Sequence, residues 1–254
     1  MDSPIVYDPI SRNENLDETV LDLVQPGLTV IVGPMFASKS RKLIDAIDSV
    51  GVRLNKVKDS LRDPGSFSLS DYVAAFVPQN DTRSKDAITS RGSLDTEISY
   101  PATVIPPTEP WRMLEEQYHG NPFVFIDEGN FYGDFSQEGV FRAPSGLKPT
   151  VQMLVEQGRE VYVAGLSADF RGEPFAEMGG LLAIADTIIK VNAREGKNPN
   201  ATRTQRIING RPAQFTDPVF LVGDRESYEP RIVENHRVPG KRKYLASIID
   251  SLME

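Results

Sequence analysis

No cysteine occurs anywhere in the 254 residues. That absence removes disulfides, thiolate metal sites and cysteine nucleophiles together, and it leaves the redox compartment unmarked because no thiol is present to oxidise. Histidine is nearly as scarce. His119 and His236 are the only 2 imidazoles, and their distance in sequence argues against a histidine-based metal centre, so each reads as an ordinary core or surface side chain. Long apolar runs are missing too: no stretch approaches the roughly 18 consecutive apolar residues of a membrane span. The N-terminal stretch carries Asp2, Asp8, Glu14, Asp17 and Glu18, the wrong charge for a signal peptide. The expected location is the cytoplasm, with no membrane partner. An excess of positive charge is also lacking. The net charge of -8 disfavours a nucleic-acid backbone as partner, although a local cluster of bases can still hold a small anionic substrate.

What is present begins with Leu28-Thr-Val-Ile-Val-Gly33-Pro-Met-Phe-Ala-Ser38-Lys39-Ser40. The β-branched Val30, Ile31 and Val32 suit a short buried strand, and Arg41, Lys42, Leu43, Ile44 and Ile47 turn to helical spacing. Strand, loop and helix follow one another, with a lysine opening the helix. The unpaired N–H groups and positive dipole end of such a helix bind phosphate. The loop Gly33, Pro34, Met35, Phe36, Ala37 and Ser38 is therefore the candidate nucleotide cradle. Lys39 would supply a point charge for the terminal phosphates, and Ser40 a hydroxyl for Mg²⁺. The usual pattern G-x-x-x-x-G-K-[ST] has a second glycine where this chain has Ser38, so the local backbone must suit a residue with a Cβ.

Alternating strands and helices over the first 190 residues predict an α/β fold with a parallel P-loop sheet flanked by helices. Residues 1–26 read as a leader, 27–191 as the nucleotide-binding domain, 192–240 as a small β-rich subdomain and 241–254 as a C-terminal helix. Residues 51–70, with Arg62-Asp-Pro-Gly-Ser66, read as an exposed excursion, and residues 84–102, with Arg91-Gly92-Ser93, as a mobile segment. Thr108-Glu109-Pro110 predicts the start of a helix carrying Trp111, Met113, Leu114 and Tyr118. Asn209-Gly210 predicts a tight hairpin turn. Leu245, Ile248, Ile249, Leu252 and Met253 form an apolar stripe at helical spacing that could pack on the same chain or on another subunit, the same chain being the favoured expectation.

Phe123-Val-Phe-Ile-Asp127-Glu128 is a continuous apolar strand, buried on both faces, that ends in two carboxylates. In open α/β sheets ligands bind at that edge. Asp127 there can hold Mg²⁺, and Glu128 can accept a proton from a hydroxyl nucleophile. Asp81 and Arg83 can add a second metal contact and a guanidinium for phosphate charge; by themselves they read as surface charges.

Gly33-Pro-Met-Phe36 with Lys39-Ser40, Asp81-Thr-Arg83, Ile126-Asp-Glu-Gly-Asn-Phe131, Ala164-Gly-Leu-Ser-Ala-Asp-Phe170 with Glu173-Pro-Phe175, and Thr202-Arg-Thr-Gln-Arg206 stand in the order seen in thymidine kinases. Over roughly residues 27–240 the chain resembles the tetrameric P-loop type found in cytosol, bacteria and viruses. The resemblance implies ATP-dependent, Mg²⁺-assisted phosphorylation of the 5′-hydroxyl of thymidine or deoxyuridine, by a homotetramer under feedback inhibition. It implies Glu128 as general base, Lys39 and Ser40 as phosphate and Mg²⁺ contacts, and Asp81, Arg83 and Asp127 as the metal and phosphate neighbourhood. Met35, Phe131, Leu166, Phe170, Phe175 and Thr204 match positions around the nucleoside. The appendage matches the loop called the lasso, where Val219, Leu221 and Gly223 would bind the base edge and Tyr228 would close over it.

One departure stands out. The family usually pins its lasso with zinc held by two pairs of cysteines. Here Ile232 and Asn235 occupy the places of the second pair, and residues 194–198 read Arg-Glu-Gly-Lys-Asn. A zinc-free lasso is expected. The residues also leave open a kinase of another deoxynucleoside, or a catalytically weak nucleotide-binding relative with an assembly or regulatory role.

Overall fold

The computed structural model describes residues 16–61, 65, 67–81, 86–91, 96–135, 141–143, 146–219 and 227–253. Arg83, Leu221 and Gly223, and most of the leader, lie outside the described residues. A one-turn helix α1 (Glu18–Leu21), capped by the Asp17 carboxylate on Thr19 N, leads into β1 (Gly27–Val32). The helix α2 (Lys39–Val57) follows and buries Leu43, Ile44, Ile47, Val50 and Leu54 along one face. It runs through Gly51 into residues expected to form the excursion, because Val50 and Leu54 continue its apolar stripe and the flanking Leu69 side chain leaves Gly51 room.

Strand β2 (Val73–Pro78) is buried throughout. The segment 84–102, expected to be mobile, contains an antiparallel pair, β3 (Ala87–Arg91) and β4 (Glu97–Pro101), with Ile88 opposite Tyr100 and Ser90 opposite Ile98. Strand β5 (Thr103–Ile105) follows. The predicted helix after Thr108 is not an α-helix: residues Pro110–Leu114 and Glu116–Tyr118 form two 3-10 turns separated by an extended Glu115. A side chain claims a carbonyl that a helix would use: His119 Nε2 lies 3.1 Å from Leu114 O, and beyond the turns buried Arg159 donates to Tyr118 O at 2.8 Å.

Strand β6 (Phe123–Ile126), the hairpin β7 (Asp134–Phe135) and β8 (Phe141–Ala143), helix α3 (Leu147–Glu156), strand β9 (Glu160–Gly165), helix α4 (Met178–Ile184) and strand β10 (Thr187–Lys190) complete the α/β unit. Six strands form one sheet in the order β10-β1-β9-β6-β2-β5, and every pairing in it is parallel. Two apolar clusters cover its faces. One gathers Phe76, Val124, Ile126, Val163 and α3; the other gathers Ile31, Phe125, Phe123 and α2. Burying each such side chain contributes roughly 1.5–3 kcal/mol. Among the described residues no helix is long and apolar enough to cross a membrane.

The remaining strands are β11 (Ala193–Glu195), β12 (Asn198–Ala201), β13 (Arg203–Ile208), β14 (Arg211–Pro212) and β15 (Tyr228–Arg231), in two small antiparallel sheets β11-β12 and β14-β13-β15. Asn209 and Gly210 both have positive φ, at 50° and 73°, and make the expected tight turn. The closing helix α5 (Lys241–Met253) forms as the stripe predicts, but none of its residues is buried. The expected packing on the same chain is absent among the described residues. Its first turn alone is tied down, by Lys241 to Glu173 at 2.7 Å and by Tyr244 stacked on Phe215.

Candidate active site

The site lies at the carboxyl ends of β1, β6 and β9. Gly33 leaves β1 where the chain passes so close to the start of the β-rich subdomain that a Cβ would stand 2.3 Å from Val191 O. No other residue fits there without moving backbone. Phe36 and Ser38 both take positive φ, 64° and 60°. Ser38 thus adopts the left-handed conformation in which the usual pattern carries glycine, and its side chain makes no cap bond to α2. Lys39 opens the helix, is buried, and donates from Nζ to Pro34 O at 3.0 Å. That bond folds the ammonium back across the loop. Met35 N donates to the Thr204 hydroxyl at 3.0 Å, so the loop is tied to β13. Ala37 packs with Ala193, Ala201 and Val191.

Strand β6 ends on Asp127 and Glu128, both buried. Asp127 N donates to Phe76 O, continuing the ladder with β2, while Glu128 turns the chain through the left-handed region (φ 48°, ψ 44°) into the turn Gly129–Phe131. Asp127 Oδ1 accepts from Glu128 N at 2.9 Å, and Ser40, at the start of α2, stands beside its carboxylate. Burial, then the adjacent Glu128 carboxylate, push the Asp127 pKa up, against the Ser40 and backbone bonds and the Lys39 charge. The Tyr132 phenol is pushed up by burial and then by the charge of Asp127. Among the described residues no partner reaches its buried hydroxyl.

Further along, Asn130 is fully buried and its Oδ1 accepts from Leu166 N at 2.7 Å, joining the end of β9 to the carboxylate turn. Phe131 meets Phe175 edge to face at 6.1 Å. Buried Phe170 lies under the Arg206 guanidinium at 5.5 Å, and its carbonyl lies 2.8 Å from His236 Nε2. Burial lowers the His236 pKa, opposed first by that bond. Arg206 donates to Pro218 O. Val219 lines a 330 Å³ cavity with Asp169, Arg171, Pro174, Ala176, Thr216 and Asp217.

The structure therefore brings Lys39, Ser40, Asp127 and Glu128 to one sheet edge, with Met35 and Thr204 directly bonded and Phe131 beside Phe175. Asp81 follows β2 at the same edge, its N–H bonded to Pro78 O. Leu166 and Phe170 are buried, so part of the expected nucleoside wall is also internal packing. Tyr228 begins β15, opposite Arg206 in β13. Sequence reasoning missed Tyr132, Arg206 and the bonding role of Asn130. Asn130 stood inside a quoted motif, but nothing local marks a polar side chain for burial by a distant strand.

Oxygen donors meet at Ser40 and Asp127, a set that suits a hard divalent cation. Among the described residues no group of three or more His, Cys, Asp or Glu is gathered for a metal. The family's lasso zinc does not fit the residues described there: Ile232 has no ligand atom in its side chain, and Ile232 N and Asn235 Nδ2 donate to the Glu195 carboxylate.

A family model described as thymidine kinase matches residues 65–236, well over half of the chain. The chain belongs to the thymidine kinase family. The matched span includes Asp127, Glu128 and the β-rich subdomain as far as His236; the phosphate loop stands before it. Among solved structures the chain is similar to the genome packaging NTPase B204 from Sulfolobus turreted icosahedral virus 2 in complex with ATP-gammaS. That match has a TM-score of 0.36 and 17% identity over 68% of this chain and 79% of that chain. It is also similar to domain III of the Thermotoga maritima replication initiation protein DnaA, with TM-score 0.33 and 10% identity over 68% and 58% of the two chains. Both likenesses are too loose to carry an argument, and the assignment rests on the family model. Membership brings with it, in general terms, nucleoside phosphorylation by a kinase.

Proposed function

We propose that this family member transfers the γ-phosphoryl group of ATP to the 5′-hydroxyl of thymidine or deoxyuridine, with Glu128 as general base. The observation that carries the reading is the junction of two elements: Ser40, in the helix opened by Lys39, lies beside the Asp127 carboxylate, next to Glu128. Phosphoryl transfer needs a phosphate cradle and a base in that proximity. The loop from Gly33 to Ser38 cradles the phosphates, and Lys39 neutralises the terminal ones. Glu128 takes the proton from the 5′-hydroxyl as its oxygen bonds to the γ-phosphorus and ADP leaves. Ser40 and Asp127, with Asp81 nearby, would hold Mg²⁺, which when bound supplies positive charge to the phosphates. Arg83 adds a guanidinium to the same charge.

Met35, Phe131, Leu166, Phe170, Phe175 and Thr204 form the nucleoside wall, apolar and aromatic as a flat base requires. Val219, Leu221 and Gly223 read the base edge, and Tyr228 closes over it. The assembly is a cytoplasmic homotetramer. Edge strand β10, exposed at all of its residues and carrying Ile188 and Ile189, supports contact between copies. A second reading, a catalytically weak nucleotide-binding relative with an assembly or regulatory role, is favoured by one observation, the left-handed Ser38.

The test incubates the chain with ATP, Mg²⁺ and, in turn, thymidine, deoxyuridine, deoxycytidine and the purine deoxynucleosides, and separates the products by ion exchange. Thymidine or deoxyuridine monophosphate is expected. Product from another nucleoside alone would move the assignment to a kinase of that deoxynucleoside. No product despite measurable ATP binding would favour the second reading.

A further inference from the structure

Among its described residues the lasso buries little apolar material. The buried side chains there are Ala193, Ala201 and Ala213 together with polar Thr204, Gln205 and Arg206. Polar bonds share the holding, and three contacts from one stretch of chain converge on a single carboxylate. Glu195, at the end of β11, accepts from Ile232 N at 2.7 Å and from Asn235 Nδ2 at 2.9 Å, and lies 3.6 Å from an Arg231 guanidinium nitrogen. All three donors come from the chain as it leaves β15. Arg231 is itself held by Glu229.

We propose that Glu195 is a positioning residue whose carboxylate closes the lasso without metal, by gathering Arg231, Ile232 and Asn235 onto the root of the loop. The root is fixed on the other side: Ala193 and Ala201 pack against Ala37 of the phosphate loop, and Thr204 accepts from Met35 N. β15 pairs with β13 from Arg203–Arg231 to Arg206–Tyr228. The clasp thus links the phosphate loop to the strand that begins at Tyr228. Ile232 and Asn235 stand where the resemblance places one pair of zinc ligands, and Glu195 lies in the stretch 194–198. A bond between opposed charges and donors replaces a bridging cation here. The carboxylate is held below its usual range, first by the Ile232 N–H and then by Asn235 and Arg231, as an engaged acceptor is.

The effect on turnover rests on the nucleoside-kinase reading; the clasp itself does not. The test compares the full chain with Glu195→Ala, Glu195→Gln and Asn235→Ala by hydrogen–deuterium exchange of segments 203–208 and 228–235, beside kcat and KM for nucleoside and ATP. Glu195→Ala is expected to accelerate exchange in these segments about tenfold or more, as loss of hydrogen bonds to a charged group does. The α/β sheet should stay unchanged. The nucleoside KM should rise more than the ATP KM, with smaller effects from Glu195→Gln and Asn235→Ala. A chelator should leave exchange in the native chain unaltered. Unchanged exchange at 228–235 in all three variants would overturn the proposal, as would uniform acceleration across the whole chain. A chelator that reproduces the Glu195→Ala pattern would overturn it too, by showing that a metal holds the loop. If the native chain phosphorylates no nucleoside, the functional reading fails while the exchange data still decide the clasp.

Discussion

Ser38→Gly relieves a backbone conformation that the chain pays to keep. Ser38 sits at φ 60°, ψ 35°, where an L-residue costs roughly 1–2 kcal/mol and glycine almost nothing. Glycine gives back part of that gain, about 0.5–1 kcal/mol, through the greater freedom of the unfolded chain. No side-chain bond is forfeited, because the Ser38 side chain makes no helix-cap bond, and the backbone bond from Lys42 N to Ser38 O at 3.1 Å is retained. The net expectation is a gain of roughly 0.5–1 kcal/mol, or about 1–4 °C in Tm for a chain of this size. Ser38→Ala is the control, since it keeps the Cβ and the strain and should give no gain. The assay is thermal unfolding of the three proteins at one pH without nucleotide, followed by the ATP KM. A Ser38→Gly protein that melts at or below the Ser38→Ala protein would refute the reasoning. It would mean that this left-handed turn is not strained, and the structural case for a catalytically weak relative would fall with it.

Other perturbations have equally direct outcomes. Asn130→Ala leaves buried Leu166 N without the acceptor 2.7 Å away, and chemical denaturation should show a loss of about 1–3 kcal/mol; a loss below a few tenths would show that the bond joining β9 to the carboxylate turn carries no weight. His236 is held below its ordinary pKa mainly by burial, so between the folded and unfolded values the unfolded chain binds more protons. Its contribution to stability is therefore present above about pH 6.5, the unfolded value, and declines as pH falls below it. The Tm should drop from pH 7.5 to 5.5, and the drop should be smaller in His236→Gln; identical pH profiles would contradict the burial argument.

The parts legible in sequence are those whose chemistry is local. β-Branched residues running into Gly33 and Lys39, an apolar run ending on Asp127-Glu128, and Asn209-Gly210 each define their own conformation within a few residues. The misread parts depend on contacts that the local pattern does not show. Residues 110–118 carry helix-start signals, yet Leu114 O, which a helix would give to Tyr118 N, lies 3.1 Å from the His119 ring nitrogen, and the chain makes 3-10 turns. The hairpin of β3 and β4 alternates only over five residues on each side, too briefly to stand out beside Gly92 and Ser93. Residues 51–57 belong to α2 because Leu54 is buried, which the nearby turn residues obscured. In the site, Lys39, Ser40, Asp127 and Glu128 were visible, whereas Tyr132, Arg206 and Glu195 gain meaning only through contacts across the fold. The apolar stripe of α5 was readable as a helix face, but a stripe does not name its partner, and the described residues of this chain do not cover it.

The central claim is that Glu128 accepts the proton of the attacking hydroxyl in a nucleoside kinase that works without zinc. The most direct measurement is kcat for thymidine monophosphate formation by the native chain and by Glu128→Gln, with ATP and Mg²⁺ in zinc-free buffer, beside the ATP affinity of each. Loss of a general base is worth about 10²–10⁴-fold, so kcat should fall by that factor while ATP binding persists. A Glu128→Gln protein that turns over at the native rate would contradict the account.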